Sequence, residues 1–175
     1  MMFLVSINID IPMIKVLQSY NISPLLRYYL EFEKEMVWTE HGTKRQTGLQ
    51  YKPGEDPWTS AVGRSIGNGL VYTELNPFFK DTIVEDIINQ FNLLKTRFMW
   101  VGPMTCYSMH HDESPRIHIP LITNPQCYFV FKGKDTSIIQ NLPAGSIYWT
   151  DTRETHTFMN CSERPRLHLV GAVRE

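Results

Sequence analysis

Two short stretches, far apart in the chain, carry residue types that can share one metal ion. The first is Met109-His110-His111-Asp112-Glu113. In an extended strand, residues i and i+2 project from the same face. His110 and Asp112 can therefore offer an imidazole nitrogen and a carboxylate oxygen to one point. The second stretch is Thr155-His156-Thr157, downstream of Tyr148-Trp149. Two histidines and one carboxylate on one face of an octahedron suit Fe(II) and leave positions open for substrate and oxygen. His110, Asp112 and His156 are the metal-ligand and catalytic candidates.

Beyond His156, the run Arg164-Pro165-Arg166-Leu167-His168-Leu169-Val170 puts Arg166, His168 and Val170 on one strand face and Leu167 and Leu169 on the other. A guanidinium pointing into a protein interior is costly unless it meets an anion. Arg116-Ile117-His118-Ile119-Pro120-Leu121 repeats the pattern, polar on one face and apolar on the other. Two inward arginines near a three-ligand metal site suggest a small dicarboxylate that chelates the metal at one end.

Other readings of these residues stay open at this level. His111 and Glu113 form a competing H-x-E pair on the opposite strand face. Taken alone, His110 is an ordinary strand histidine and Asp112 the start of a turn with Glu113 and Ser114. His168 reads as a pocket residue rather than a ligand, Arg164 as a solvated turn charge, Arg97 as structural and His41 as a surface loop residue. Gln46 and Gln50 read as loop chemistry before substrate contacts. Tyr51, Trp58, Trp100, Tyr107, Tyr128, Phe131 and Trp149 are core by default.

The elements that must position these groups follow from periodicity. Ser23 as N-cap with Pro24 at the first helical position opens a helix through about Met36, with Leu25, Leu26, Tyr29, Phe32 and Met36 on one face. Thr82-Ile83-Val84-Glu85 reads as a capping box that opens a second helix with a stripe of Val84, Ile87, Ile88, Phe91 and Leu94. After Lys95 the pattern changes to short runs: Arg97–Val101, Tyr107–Asp112, Arg116–Thr123, Gln126–Lys132, Ser146–Thr150 and Arg166–Ala172. Turn signals such as Gly102-Pro103, Asn124-Pro125 and Pro143-Ala144-Gly145 separate them. This spacing predicts an antiparallel jelly roll braced by helices. The stretch from Thr39 to Asn76, with strand-like pieces such as Gly48–Tyr51, reads as loops around a site.

Composition bounds the function classes. The chain has 175 residues, 42% of them hydrophobic and 20% charged, with a formal net charge of −1. One domain with a real core fits that length, with residues 1–95 as helical and loop support and 96–175 as the β core. Without a basic excess, nucleic acid is not an expected partner. No run approaches the ~20 apolar residues that span a bilayer, and Met1-Met2-Phe3-Leu4-Val5 lacks the basic flank and length of a secretory signal. Cys106, Cys127 and Cys161 form no C-x-x-C pair and read as buried reduced thiols, so a cytoplasmic location is expected.

Together, the H-x-D at His110 and Asp112, R-x-H-x-P-L at Arg116–Leu121, Gly145-Ser146-Ile147-Tyr148, and His156 followed by Arg166 resemble the 2-oxoglutarate- and Fe(II)-dependent dioxygenases. The branch they are most similar to is the aspartyl/asparaginyl β-hydroxylase-like one, including its short bacterial and bacteriophage versions. The resemblance spans roughly Arg97 to Val173. It implies a mainly β double-stranded β-helix (a cupin-like jelly roll) with flanking helices, and Fe(II) held by His110, Asp112 and His156. It further implies 2-oxoglutarate bound through Arg166, with Arg116 and His118 helping, and O2 as oxidant. The implied reaction hydroxylates an unactivated C–H bond of a substrate residue (Asp, Asn or Pro in a protein or peptide) or of a free amino acid, releasing succinate and CO2. Asp112 departs from the animal β-hydroxylase, which lacks the carboxylate ligand, and its presence favours hydroxylation over halogenation. The alternative is a cupin-like, non-redox metal-binding or isomerase module, which gives no reason for Arg166 at its offset.

Overall fold

A computed structural model describes residues 13–63, 69–133 and 136–174; the Met1–Asp10 stretch lies outside them. The described residues form thirteen strands: β1 (Ile14–Ser19), β2 (Thr39–His41), β3 (Lys44–Gly48), β4 (Gln50–Tyr51), β5 (Glu74–Leu75), β6 (Leu94–Val101), β7 (Thr105–Cys106), β8 (Arg116–Ile122), β9 (Cys127–Lys132), β10 (Ser137–Asn141), β11 (Ser146–Thr150), β12 (His156–Asn160) and β13 (Arg166–Ala172). Two helices, α1 (Ser23–Phe32) and α2 (Ile83–Gln90), accompany them.

The strands form a seven-stranded sheet of order β1-β11-β8-β13-β6-β3-β2 and a four-stranded sheet of order β10-β9-β12-β7, with β4-β5 as a small separate pair. All of the strand pairs are antiparallel. From β6 to β13 the chain passes back and forth between the two sheets, which is the winding of a double-stranded β-helix. The expected fold class holds.

Period-two alternation decides what each face of the larger sheet does. On β13, Leu167 and Leu169 are fully buried; with Phe98, Ile117, Ile119 and Ile147 they pack against Leu25 and Tyr29 of α1 and Val84, Ile87 and Ile88 of α2. That is the helical brace. Cross-strand partners share a face, so the register Gly48↔Arg97, Arg97↔Val170, Val170↔His118 and His118↔Tyr148 runs one row across the opposite face. This inner face is polar and confronts Phe129, Phe131 and Phe158 of the smaller sheet.

Several local expectations are corrected. Helix α1 has Ile22, not Ser23, at its N-cap position and no side-chain cap; Asn21 Oδ1 instead accepts from the Ser23 N–H at 3.1 Å. It ends at Phe32 rather than Met36, with the Trp38 indole donating to the Glu33 carbonyl at 3.1 Å. Thr82 caps α2 as expected, accepting from Val84 N–H, but Glu85 reaches back to the N–H of Asp81 rather than of Thr82. Leu94 belongs to β6, not to the α2 stripe. Within 39–76, β2 and β3 extend the large sheet, and 107–112 is no regular strand. Only Cys127 is buried; Cys106 is exposed and Cys161 intermediate, and all three are free thiols. No helix among the described residues is long and apolar enough to cross a membrane.

Candidate metal centre and its cationic pocket

His110 and His156 are brought together by the backbone. Although 107–112 is irregular, His110 N–H donates to His156 O at 2.9 Å and His156 N–H to His110 O at 2.8 Å. Such a reciprocal antiparallel pair puts both side chains on one side, and the ring centroids lie 4.4 Å apart. A third tether, Asp112 N–H to Thr152 O at 2.8 Å, swings Asp112 back to the same place. One ligand atom from each of His110, Asp112 and His156 then lies within 4.8 Å of the others. Of the two registers open in the sequence, this is the one that closes on His156; His111 and Glu113 are exposed at the mouth.

The protonation states suit a cation. His110 Nδ1 meets the Ser108 carbonyl at 2.8 Å and His156 Nδ1 the Glu154 carbonyl at 2.9 Å. A carbonyl only accepts, so both Nδ1 atoms carry a proton, and in each neutral ring Nε2 is the nitrogen that presents its lone pair. Burial pushes the pKa of His156 below the ordinary histidine value, which keeps it neutral. Burial alone would raise the pKa of Asp112, but Arg116, Arg97 and the two histidines hold it below the usual carboxylate value. Its Oδ1 is 3.2 Å from Arg116 Nη2. Two bare imidazole nitrogens and one carboxylate fit a divalent first-row metal.

These groups line a cavity of about 980 Å³, whose wall also holds Lys95, Arg97, Arg116, His118, Phe129, Phe158, Arg166 and Val170. Arg166 is 2% exposed. Its guanidinium lies 3.6 Å over the Phe158 ring and donates to His168 Nδ1. Among the described residues no carboxylate lies within ion-pair distance of it, and its Nε is unpartnered. Burial pushes its pKa down to about 9. His118 has both ring nitrogens buried and unpartnered, and burial, then the Arg166 charge, drives its pKa well below the ordinary value. His168 behaves likewise, for the same two causes. Orphaned donors around a buried cation are what a bound carboxylate would satisfy.

The sequence reading of Arg97 as structural is revised. Its side chain is 8% exposed, lines the cavity and donates from Nη1 to Gln46 Oε1 at 3.1 Å. Gln46 is therefore a cavity residue too, whereas Gln50 is spent on Leu93 O and Thr96. His41 is exposed but lies on β2 at the cavity mouth. Tyr107, Phe129 and Phe158 are the aromatics that face the site. Lys95 was not singled out by sequence. It has φ 51° at a β-bulge, a left-handed conformation that no periodic pattern announces. The available signal was the run Lys95-Thr96-Arg97, which puts two cations at i and i+2.

Comparison with known proteins agrees with this architecture. The family model described as "Aspartyl/Asparaginyl beta-hydroxylase" matches residues 79–175, more than half of the chain. No curated protein sequence matches it. Among solved structures, an oxidoreductase of the 2OG-Fe(II) oxygenase family from Burkholderia pseudomallei superimposes with a TM-score of 0.60 at 12% identity, covering 91% of this chain and 83% of that one. At that identity the likeness is one of fold. A cupin domain from Bordetella pertussis is more distant, with a TM-score of 0.39, 14% identity and coverage of 46% and 80%. Because the family match spans strands β6 to β13 and the whole of the cavity's inner wall that they build, the chain belongs to the aspartyl/asparaginyl β-hydroxylase family of oxidoreductases.

Proposed function

We propose that the protein is a 2-oxoglutarate- and Fe(II)-dependent hydroxylase acting on an Asp, Asn or Pro residue of a peptide or protein, or on a free amino acid. The observation that carries this reading is the convergence of His110, Asp112 and His156 in the same cavity as a buried Arg166 with no carboxylate partner among the described residues. A non-redox metal module would have no use for that guanidinium. Three free thiols fit a reducing, cytoplasmic setting.

In this reading His110 Nε2, His156 Nε2 and one Asp112 oxygen hold the iron, and Ser108 and Glu154 carbonyls fix the imidazole tautomers. Arg166 takes the distal carboxylate of 2-oxoglutarate, and Arg116 and His118 contact the end that faces the metal. Ferrous iron, when bound, supplies the redox chemistry that couples decarboxylation of the keto acid to oxygen activation. The balance is C–H + O2 + 2-oxoglutarate giving C–OH + succinate + CO2, with one oxygen atom in each of the two oxidised products. Phe129, Phe158 and Val170 keep water from the reacting centre.

The test is anaerobically purified protein given Fe(II), 2-oxoglutarate and O2 and assayed for succinate, alongside a peptide and amino-acid screen read by mass spectrometry for one added oxygen. Succinate formation that vanishes in Asp112→Ala is the expected result. Failure of the iron-loaded protein to bind 2-oxoglutarate or to turn it over without substrate overturns the proposal.

A further inference from the structure

We propose that Arg97, with Lys95 beside it, is the docking point for a carboxylate carried by the oxidised substrate itself, separate from the two carboxylates of the co-substrate. This rests on the iron and 2-oxoglutarate reading above and names a specificity-determining residue within it.

Four cations, Lys95, Arg97, Arg116 and Arg166, line the cavity and are each less than a tenth exposed. The acidic lining residues are Asp112 and the exposed Glu113. Asp112 pairs with Arg116 and points its remaining capacity at the histidines. Of the two co-substrate carboxylates, one goes to Arg166 and the other to the metal edge beside Arg116 and His118. Arg97 is left with a neutral acceptor, Gln46 Oε1, and an Nε that has no partner among the described residues. Among the described residues it has no ion pair. A guanidinium buried to this degree keeps a place in a cavity wall at high cost unless an anion arrives to meet it.

The backbone brings both residues to the cavity wall, where the Lys95 ammonium lies 5.2 Å over the Tyr72 ring. Arg97 stands in the inner-face row, opposite Val170, whose other neighbour is His118. Lys95 sits at the β6 bulge with φ 51°, a conformation that costs a non-glycine residue energy and is kept where the surroundings over-determine it. Room for it comes from Gly69: a Cβ there would lie 3.3 Å from Lys95 Cδ and 3.9 Å from Arg116 Nη2. Mutual repulsion supports the assignment, since burial and then the Arg97 and Arg116 charges push Lys95 down to about 8. An incoming carboxylate meets the Arg97 guanidinium and offsets its repulsion with the neighbouring cations. It reaches the site either as the side chain of an acidic residue in a peptide or as the α-carboxylate of a free amino acid.

Two matched probe sets separate those sources: short peptides differing only in Asp against Asn, and free amino acids against their α-amides. Binding is measured by calorimetry on Mn(II)-loaded protein with 2-oxoglutarate present, for the wild type, Arg97→Gln, Arg97→Lys and Arg166→Met. In one set the carboxylate member should bind at least about tenfold tighter than the amide, the size expected of a charge-assisted hydrogen bond. Arg97→Gln should erase that preference with less than about a threefold change in 2-oxoglutarate affinity. Arg97→Lys, which keeps the charge, should restore part of it and controls for folding. Arg166→Met should show the opposite split. Equal binding of carboxylate and amide in both sets overturns the proposal. So does an Arg97→Gln protein whose 2-oxoglutarate affinity falls as far as that of Arg166→Met. Succinate release from the Fe(II) protein is followed in parallel. Its absence with the carboxylate preference intact sinks the oxidative reading and leaves Arg97 its role, whereas its presence without the preference sinks the role of Arg97 alone.

Discussion

Replacing Arg166 by methionine should make the ligand-free protein more stable while removing its response to 2-oxoglutarate. Arg166 is buried without a carboxylate partner among the described residues, and burial lowers its pKa from the ordinary guanidinium value to about 9. At about 1.4 kcal/mol per pH unit, keeping it charged there costs about 5 kcal/mol. Against that stand a desolvated cation–π contact with Phe158, worth about 2 kcal/mol, and a charged hydrogen bond to His168, also about 2 kcal/mol. Methionine fills similar volume, so the net gain is about 1 kcal/mol, a rise of roughly 2–4 °C in Tm for a chain of this size. With 2-oxoglutarate at 100 times its Kd, the wild type should gain about 2.7 kcal/mol, or roughly 5–11 °C, and the variant nothing. The order of melting temperatures therefore inverts when ligand is added. Differential scanning fluorimetry with Mn(II), with and without 2-oxoglutarate, reads both effects. A variant that melts lower than wild type without ligand, or that keeps the ligand-induced rise, refutes the reasoning.

Further outcomes follow from other parts of the site and fold. His156→Ala removes one of two bare Nε2 atoms, so Mn(II) affinity, measured by calorimetry, should fall more than the roughly 10–100-fold typical of losing an outer-shell partner; an unchanged affinity contradicts the ligand assignment. Burial, with the Arg166 charge adding to it, holds His118 and His168 neutral in the fold, while the unfolded chain protonates both near pH 6.5. Their contribution is complete above that pH and is lost as pH falls below it, by up to about 1.4 kcal/mol per pH unit for each histidine. Urea unfolding at pH 7.5 and 5.5 should thus differ by about 2–3 kcal/mol, and equal values would count against two buried neutral rings. Gly48→Ala places a Cβ 2.9 Å from the carbonyl oxygens of Pro57 and Trp58. Neither backbone oxygen can swing aside, so a loss of about 2 kcal/mol, or roughly 4–8 °C, is expected.

The polar and apolar faces of β8 and β13 were legible in the sequence because an antiparallel strand with different neighbours on its two sides must alternate. The same holds for the α2 stripe and for the turns between short strands. The choice between His110/Asp112 and His111/Glu113 was not legible, because both pairs satisfy a period of two. The pair that converges with His156 is set by the backbone bridge from His110 to His156 and by the tether from Asp112 to Thr152, contacts 46 and 40 residues apart in the chain. Arg97 and Gln46 were passed over for a related reason: they lie 51 residues apart and meet only when β3 pairs with β6.

Residue chemistry by itself identified side chains of the donor types that a metal and a dicarboxylate require, since donor type and strand period are local properties. Tertiary structure alone decided which of them meet, how the cations come to share one cavity, and that Arg97 and Arg166 have no carboxylate partner among the described residues. Those depend on register between distant strands and on the left-handed turn of the backbone at Lys95, and long-range pairing leaves no local periodic trace to read.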